Sequence, residues 1–383
     1  MSAALKVLHV LGGLRRGGAE TWLVQLAEEL SRNGVRVDVA VLSDPTDHAY
    51  YATLRSLGCE IHHCGSASRP LRFARNLGRV LESDGPYRAV HCSLGLFGGY
   101  VAKVARRHGV PVRIVHSRNS ADGKAGSLAR SLYRAAMKQL IARNATHLLA
   151  VSTPAAEGTF GQRMARGSSC SLMTGFDFSA FRTPADRREL RASLGIPDGA
   201  LVVGHVGSFT SQKNHEFLVE IGDSLRRLNK SVQVLLVGDG ALRGEIECMV
   251  QDRGAGETFR FLGERSDVPE LMMGVMDAFV LPSHFEGLPR VLVEAQAAGL
   301  PCVVSSEVTR EAAALDDRVR FVSLQQAADH WAQAILEVLT LGQSPDASRA
   351  ALQAFEERGL TIRANARRLE QLYSTGVAGD LPR

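Results

Sequence analysis

Glu286 and Glu294 stand eight residues apart in "SHFEGLPRVLVEAQAAGLP" (283–301), on either side of a proline suited to a first helical turn. An ionised carboxylate accepts two hydroxyl donors at once, so each can grip the paired hydroxyls of a ribose or a hexose. Glu286 falls in a Gly/Pro loop after the apolar run "DAFVLPS". Glu294 lies inside an otherwise apolar helix, where a charge is unfavourable unless one side faces a cleft. Backbone N–H groups near Gly287 and Leu288 add anion-binding capacity at the helix start, to which Pro289 contributes none. As solvated charges, the same two glutamates would belong to an ordinary crossover unit.

Three further segments carry chemistry-bearing residues after a strand-like run. In "VGSFTSQKN" (206–214), Lys213 precedes a helix predicted to begin near His215, so its ammonium and the helix N-terminus could share a diphosphate. A lysine at a helix start also serves as a plain surface charge; Gly207, at the end of a central strand, argues for more than that. "LGGLRRGGAE" (11–20) places Gly17 and Gly18 where backbone N–H groups can approach an anion at a helix N-terminus. It is not G-x-G-x-x-G and lacks the acidic ribose partner, which argues against a nicotinamide site; a tight strand-to-helix turn explains the glycines equally well. "IVHSRNS" (114–120) sets His116 at a strand end, able to bond a substrate hydroxyl, to titrate near neutrality, or to be a satisfied structural histidine. "LLVGDG" (235–240) is a weaker glycine loop that would also fit a simple turn.

The elements that must position these residues alternate between strand and helix patterns almost from end to end, the signature of α/β architecture with parallel sheets. Strands are predicted at 5–11, 35–42, 87–93, 110–117 and 146–152, then at 201–209, 232–240, 258–264, 277–283, 300–306 and 319–323. Trp22, Leu23, Leu26, Ala27 and Leu30 form one helical stripe that stops at Gly34, and Leu94–His108 and Leu128–Asn144 read as further helices. A polar, proline-bearing stretch at 174–200 is the expected junction. The predicted divisions are 1–175, 176–355 and a C-terminal helix at 356–383 that packs back toward the first domain. In doubly wound sheets ligands bind beyond the carboxyl ends of the strands.

With 383 residues, 45% apolar and 22% charged, the chain is long enough for two domains and ordinary in composition. No run of about 18 apolar residues predicts a spanning helix, and the N-terminal stretch reads as a buried strand and not as a secretion signal. Six scattered cysteines without C-x-x-C spacing favour reduced thiols and a cytoplasmic protein. The formal charge is +5, with basic clusters in the first half at "LRRGG", "RPLRFARNLGR" and "ARRHG". They suit solvated helix faces, a phosphorylated substrate or an anionic membrane surface at its inner face; no zinc finger or RNA-binding signature supports nucleic acid.

The chain resembles the retaining GT-B glycosyltransferases, and within them family 4, of the kind that builds bacterial exopolysaccharides and capsules. The resemblance is carried by "GGLRRGGAE", "GFDFSAF", "VGSFTSQKN", "LLVGDG", "FLGERSDVPELM" and "EGLPRVLVEAQAAGLPCVVSS", in order over most of the length, with Glu286-x7-Glu294 the most specific element. It implies two Rossmann-like domains, the first on the acceptor side and the second binding a nucleoside-diphosphate sugar. It implies Glu294 on the nucleotide ribose, Glu286 on the donor sugar, Lys213 on the diphosphate, Gly17 and Gly18 near the phosphates and acceptor, and His116 over the donor sugar. Gly207, Ser208, Gly287 and Leu288 complete the implied donor site. It implies no metal and no cofactor beyond the donor, expected as a UDP-sugar, with a saccharide or lipid-linked saccharide as acceptor. Two departures stand out. Ser208 occupies a position where relatives carry arginine, leaving one of two diphosphate-facing cations absent unless Arg15, Arg16, Arg118 or Arg290 compensates. Thr174 replaces a common asparagine. The readings that compete are a nucleotide-sugar epimerase of the same fold and a nucleotide-sugar-binding protein without turnover.

Overall fold

Short apolar runs fold as strands covered on both faces. The structure, a computed structural model, describes residues 5–15, 17–43, 49–120, 127–183, 185–228 and 231–379. It divides into two units, Met1–Asp177 together with Gly359–Arg383, and Phe178–Arg358.

Among the described residues, the first unit has seven strands: β1 (Lys6–Leu11), β2 (Arg36–Val41), β3 (Ile61–His63), β4 (Ala89–Cys92), β5 (Val112–Ser117), β6 (His147–Ala150) and β7 (Ser169–Ser171). They pair in the order β3-β2-β1-β4-β5-β6-β7. The second unit holds β8 (Leu201–Val206), β9 (Val232–Val237), β10 (Phe259–Phe261), β11 (Ala278–Leu281), β12 (Cys302–Ser305) and β13 (Val319–Val322), ordered β10-β9-β8-β11-β12-β13. Every pairing between these strands is parallel. The winding order reverses between β1 and β4 in one sheet and between β8 and β11 in the other, which is where such sheets bind ligands. The doubly wound α/β expectation holds for both units. β3 and β7 were not anticipated; each is three residues long at a sheet end.

Side chains along β1 alternate between two apolar layers, Val7 and Leu11 on one face and Leu8 and Val10 on the other. Helix Gly18–Arg32 buries Trp22, Leu23, Leu26, Ala27 and Leu30 on the first of these faces, the stripe expected from the sequence. Helix Ile362–Thr375 packs into the same layer through Ile362, Ala366, Leu369, Leu372 and Tyr373. Thr361 caps it by accepting from the Ala364 N–H at 3.2 Å, and Gly376 ends it with a φ of 71°. Its Asn365 Oδ1 accepts from Trp22 Nε1 at 3.1 Å and from the Gly175 N–H at 2.8 Å. A β-carbon on Gly175 would stand 2.7 Å from Asn365 Cγ, so the glycine of "GFDF" makes room for this helix. Phe176 bridges Thr361, with Ile362 N donating to Phe176 O at 2.9 Å. In the second unit, helices His215–Leu228 and Ala328–Leu339 cover one face, with Leu218, Leu225, Trp331 and Ile335 in one cluster. Among the described residues no helix is long and apolar enough to cross a membrane.

Candidate active site

β8 ends at Val206, and the chain turns through Gly207 and a short 3-10 turn at Ser211–Lys213 into helix His215–Leu228. Asn214 takes up the reversal in the left-handed region, φ 56°, and its side-chain amide donates to Pro282 O at 3.2 Å. A β-carbon on Gly207 would lie 3.1 Å from Lys213 Cδ and Cε, so glycine here lets the lysine stem fold back over the strand end. Gly238 and Gly240, of "LLVGDG", both have positive φ, and β-carbons on them would overlap the carbonyl groups of Gly207 and Phe209. Those glycines serve the close approach of two strand-end loops, tied by Gly207 N to Val237 O at 2.9 Å and Phe209 N to Asp239 O at 3.0 Å.

The neighbouring β11 delivers the second loop. Lys213 Nζ donates to Glu286 Oε1 at 2.6 Å, with side chains only 15% and 7% exposed. Gln212 Nε2 donates to Glu286 Oε2 at 3.2 Å and to Phe285 O at 3.0 Å, and His284 N donates to Gln212 O at 2.9 Å. The loops after β8 and β11 are thus joined around one carboxylate. Pro289 stands just before helix Arg290–Ala297, whose Leu292, Val293, Ala295 and Ala297 are buried. Glu294 sits one turn in, accepting from Arg290 Nη2 at 3.0 Å. Gly287 and Leu288 are buried between the two glutamates in sequence, and Ser208 is exposed.

The first unit has its own layer at the carboxyl ends of its strands. Gly17 precedes helix Gly18–Arg32 with extended backbone, and a β-carbon on it would overlap Glu20 Oε2. Gly17 therefore leaves room for the Glu20 carboxyl group, whose pKa is raised by burial and partly offset by its own N–H and by Arg118. The Arg118 guanidinium lies over Trp22, its carbon 4.2 Å from the ring centre. His116 is fully buried, in a T-shaped contact with Trp22 at 5.6 Å and with its Nδ1 3.0 Å from His91 Nε2. Burial, then Arg118 and His9, holds its imidazole well below the ordinary value. Of the readings open for His116, titration near neutrality is the one this burial disfavours, because the charged form loses its solvent.

Sequence reading missed Gln212, which shares Glu286, and the two histidines His9 and His91 that stand beside His116. A signal existed for the histidines: polar residues at inward-facing alternate positions of three strands that are otherwise apolar. Of the arginines considered for the empty cation position, Arg290 is in the same unit as Ser208, Arg118 stacks on Trp22 in the other, Arg15 is exposed, and Arg16 lies outside the described residues.

Two family models divide the chain between them, one described as Glycosyl transferases group 1 over residues 186–354 and one as Glycosyl transferase 4-like domain over 17–167. EpsF of Bacillus subtilis (strain 168), assigned to the glycosyltransferases, is 36% identical over 347 residues, covering 89% of this chain and 90% of that protein. The chain belongs to the GT-B glycosyltransferases. Another relative of this glycosyltransferase is the UDP-Gal:alpha-D-GlcNAc-diphosphoundecaprenol alpha-1,3-galactosyltransferase of Escherichia coli, 25% identical over 314 residues and covering 79% of each. The fold matches that of Anabaena HepE in complex with UDP-glucose, with a TM-score of 0.79 at 20% identity over 97% of this chain and 100% of that one. It also matches WaaG, a glycosyltransferase involved in lipopolysaccharide biosynthesis, at a TM-score of 0.74 and 18% identity over 97% and 100%. In this glycosyltransferase four of the six family-4 segments quoted from the sequence coincide with the loops after β1, β8, β9 and β11, while "FLGERSDVPELM" follows β10 and "GFDFSAF" spans the division between the units.

Proposed function

We propose that this glycosyltransferase moves a hexose-type sugar from a nucleoside-diphosphate sugar, in the first instance a UDP-sugar, to an acceptor hydroxyl with retention at the anomeric carbon. The product belongs to a cell-surface or exported polysaccharide. The observation that carries the reading is the Lys213–Glu286 contact at 2.6 Å, flanked by Gln212 and followed one helix start later by Glu294. One ammonium has three N–H donors, so Lys213 can keep Glu286 and still meet a phosphate oxygen. Glu286 then holds sugar hydroxyls, Glu294 the ribose, and the amide groups around Gly287 and Leu288 the diphosphate. Charge that grows on the departing diphosphate meets a cation already in place, which lowers the barrier because the stabilisation rises in the transition state. The clamp is built from side chains and amide groups, so turnover is expected to persist in EDTA. The relatives support the reading through what their names state: one uses UDP-Gal on a diphosphoundecaprenol-linked sugar, and HepE is held with UDP-glucose.

A lipid-linked saccharide acceptor would bring the enzyme to a membrane face from the cytoplasm. Support comes from helices Pro70–Ser83 and Leu128–Asn144, which follow β3 and β5 and so start at the same rim of the sheet. Leu71, Leu128 and Leu132 there are 79%, 80% and 64% exposed. Neither helix has an acidic residue in its first turn, whereas Arg69, Arg72 and Arg75 crowd one start and Arg130 the other. Cations at a helix N-terminus oppose the helix dipole, so this arrangement suits an anionic, apolar-cored surface better than water.

Thermal shift with UDP-, GDP- and ADP-sugars tests the donor reading. A donor at a hundred times its Kd adds about 2.7 kcal/mol of stability, and Glu294→Gln should abolish the shift. If no sugar nucleotide shifts the melting temperature or releases its nucleotide, the reading fails.

A further inference from the structure

The Glu286 carboxylate is held by both of its oxygens. Lys213 Nζ donates to Oε1 at 2.6 Å and Gln212 Nε2 to Oε2 at 3.2 Å. A single cation on one oxygen would leave the carboxyl group free to turn, because the last torsion of a glutamate is broad and roughly two-fold. With a fixed donor on each oxygen, that turn breaks one link or the other. Two donors therefore set the plane of the carboxylate, which one salt bridge cannot do. Each oxygen keeps a lone pair for a ligand hydroxyl, and the directions of those lone pairs are fixed with the plane.

The second donor is itself fixed. Gln212 Nε2 also donates to Phe285 O at 3.0 Å. A carbonyl and an ionised carboxylate only accept, so the amide must turn its NH₂ toward them, and both of its hydrogens are used. Gln212 and Lys213 belong to one 3-10 turn, closed by Lys213 N to Thr210 O at 3.1 Å and by Asn214 N to Ser211 O at 3.2 Å. That turn is fastened to the Glu286 loop at two further places. His284 N donates to Gln212 O at 2.9 Å, and Asn214 Nδ2 donates to Pro282 O at 3.2 Å. Gln212, Lys213 and Asn214 thus each grip the segment that carries Glu286.

We propose that Gln212 is a positioning residue for sugar transfer: by locking the Glu286 carboxylate against Lys213, it makes the enzyme select its donor hexose by the configuration of the hydroxyls that meet Glu286. Axial and equatorial hydroxyls on one carbon leave the ring in different directions, and a fixed lone pair meets only one of them. The wrong epimer leaves a desolvated acceptor without its donor, the kind of mismatch that a polar site penalises most. A carboxylate free to turn would follow either hydroxyl. The proposal rests on the reading that Glu286 holds the donor sugar.

Kinetics of the full-length enzyme with UDP-glucose and its C2, C3 and C4 epimers, beside calorimetry of UDP alone, test this role. The wild type should separate the best from the poorest epimer by at least about a hundredfold in kcat/KM. Gln212→Met keeps the side-chain length and removes the second donor. Its discrimination should narrow roughly tenfold, the size of one net hydrogen bond, while UDP, which has no sugar to meet Glu286, binds as before. Gln212→Glu should discriminate as the wild type does at acid pH, where the two carboxyl groups share a proton. It should lose that discrimination as pH rises and the proton leaves, with Lys213 still on the other oxygen; lost packing alone would not follow pH. A wild type that treats the epimers alike overturns the proposal, and so does unchanged discrimination in Gln212→Met. An equal loss of UDP affinity in Gln212→Met also overturns it, since Gln212 would then be a general tie between the loops. If Gln212→Met does not fold, the pH dependence of Gln212→Glu decides. A Glu286→Gln enzyme that binds and discriminates the epimers normally would overturn the reading of Glu286 itself. That failure is distinct, because failure of the Gln212 role alone leaves Glu286→Gln impaired and Gln212→Met normal.

Discussion

Lys213→Ala strips Glu286 of its ionic partner while leaving the carboxylate 6% exposed between the loops that follow β8 and β11. Removing one member of a fully buried pair costs about 3–5 kcal/mol. Here Gln212 still donates to Glu286 Oε2 at 3.2 Å and the lysine side chain is 15% exposed, so about 2–3 kcal/mol is expected. For a unit of this size each kcal/mol shifts the melting temperature by about 2–4 °C, which predicts a fall of about 4–12 °C. Lys213→Met combined with Glu286→Gln removes both charges and should return stability to within about 1 kcal/mol of wild type. Turnover should not return, because losing one preorganised group that faces developing charge costs about 10²–10³ in rate. Thermal melts and nucleotide release on the same samples separate the two effects. A Lys213→Ala melting temperature within a degree of wild type would refute the energetic reasoning, and recovered turnover in the double variant would refute the role of Lys213.

Three further outcomes follow from the geometry. Ser208→Arg should raise turnover roughly ten- to hundredfold if a second diphosphate cation is the missing element, since one charge-assisted contact supplies about 1.5–3 kcal/mol; no gain would show that the site does not lack that cation. Arg72→Glu with Arg75→Glu should abolish co-sedimentation with anionic liposomes and raise thermal stability slightly, because acids near a helix N-terminus favour the helix; retained binding sinks the membrane-face reading, and lost binding cannot be blamed on unfolding. Acidification should destabilise the fold. Burial lowers His9 to about 3 and His215 to about 4, and holds His91, His116 and His205 well below the ordinary 6.5. The unfolded chain then binds more protons below pH 6.5, so stability is full above that pH and is lost as pH falls toward 4, by up to ~1.4 kcal/mol per unit for each histidine. A melting temperature that stays flat between pH 7.5 and 5 contradicts this.

The α/β alternation was legible because runs such as "VQVLLV" are too short and too apolar for anything but strands covered on both faces. β3 and β7 escaped because three-residue strands at sheet ends, "IHH" and "SCS", carry no apolar signature. The stripe of helix Gly18–Arg32 was legible residue by residue, since its period depends only on local geometry. The join of Lys213 to Glu286 was not, because it spans 73 residues and depends on β8 lying beside β11. Crossover handedness and sheet order decide that adjacency, and neither is written in local pattern. Gly17 and Gly238 illustrate the same limit. Their identity as glycines was visible, but only the packed chain shows that one makes room for Glu20 and the other for the Gly207 carbonyl. The burial of His116 was equally hidden, since its cover comes from Trp22 in one helix and its partner His91 from β4.

The central claim is sugar transfer with retention from a nucleoside-diphosphate sugar clamped by Lys213, Glu286 and Glu294. It is tested most directly by following a panel of UDP-hexoses with the enzyme by ¹H NMR, reading the nucleotide released and the anomer of the sugar first transferred or hydrolysed. The account predicts UDP release from at least one donor, a first-formed product with the anomeric configuration of that donor, and no detectable release with Lys213→Ala. An inverted first product, or release that persists unchanged in Lys213→Ala, would contradict it.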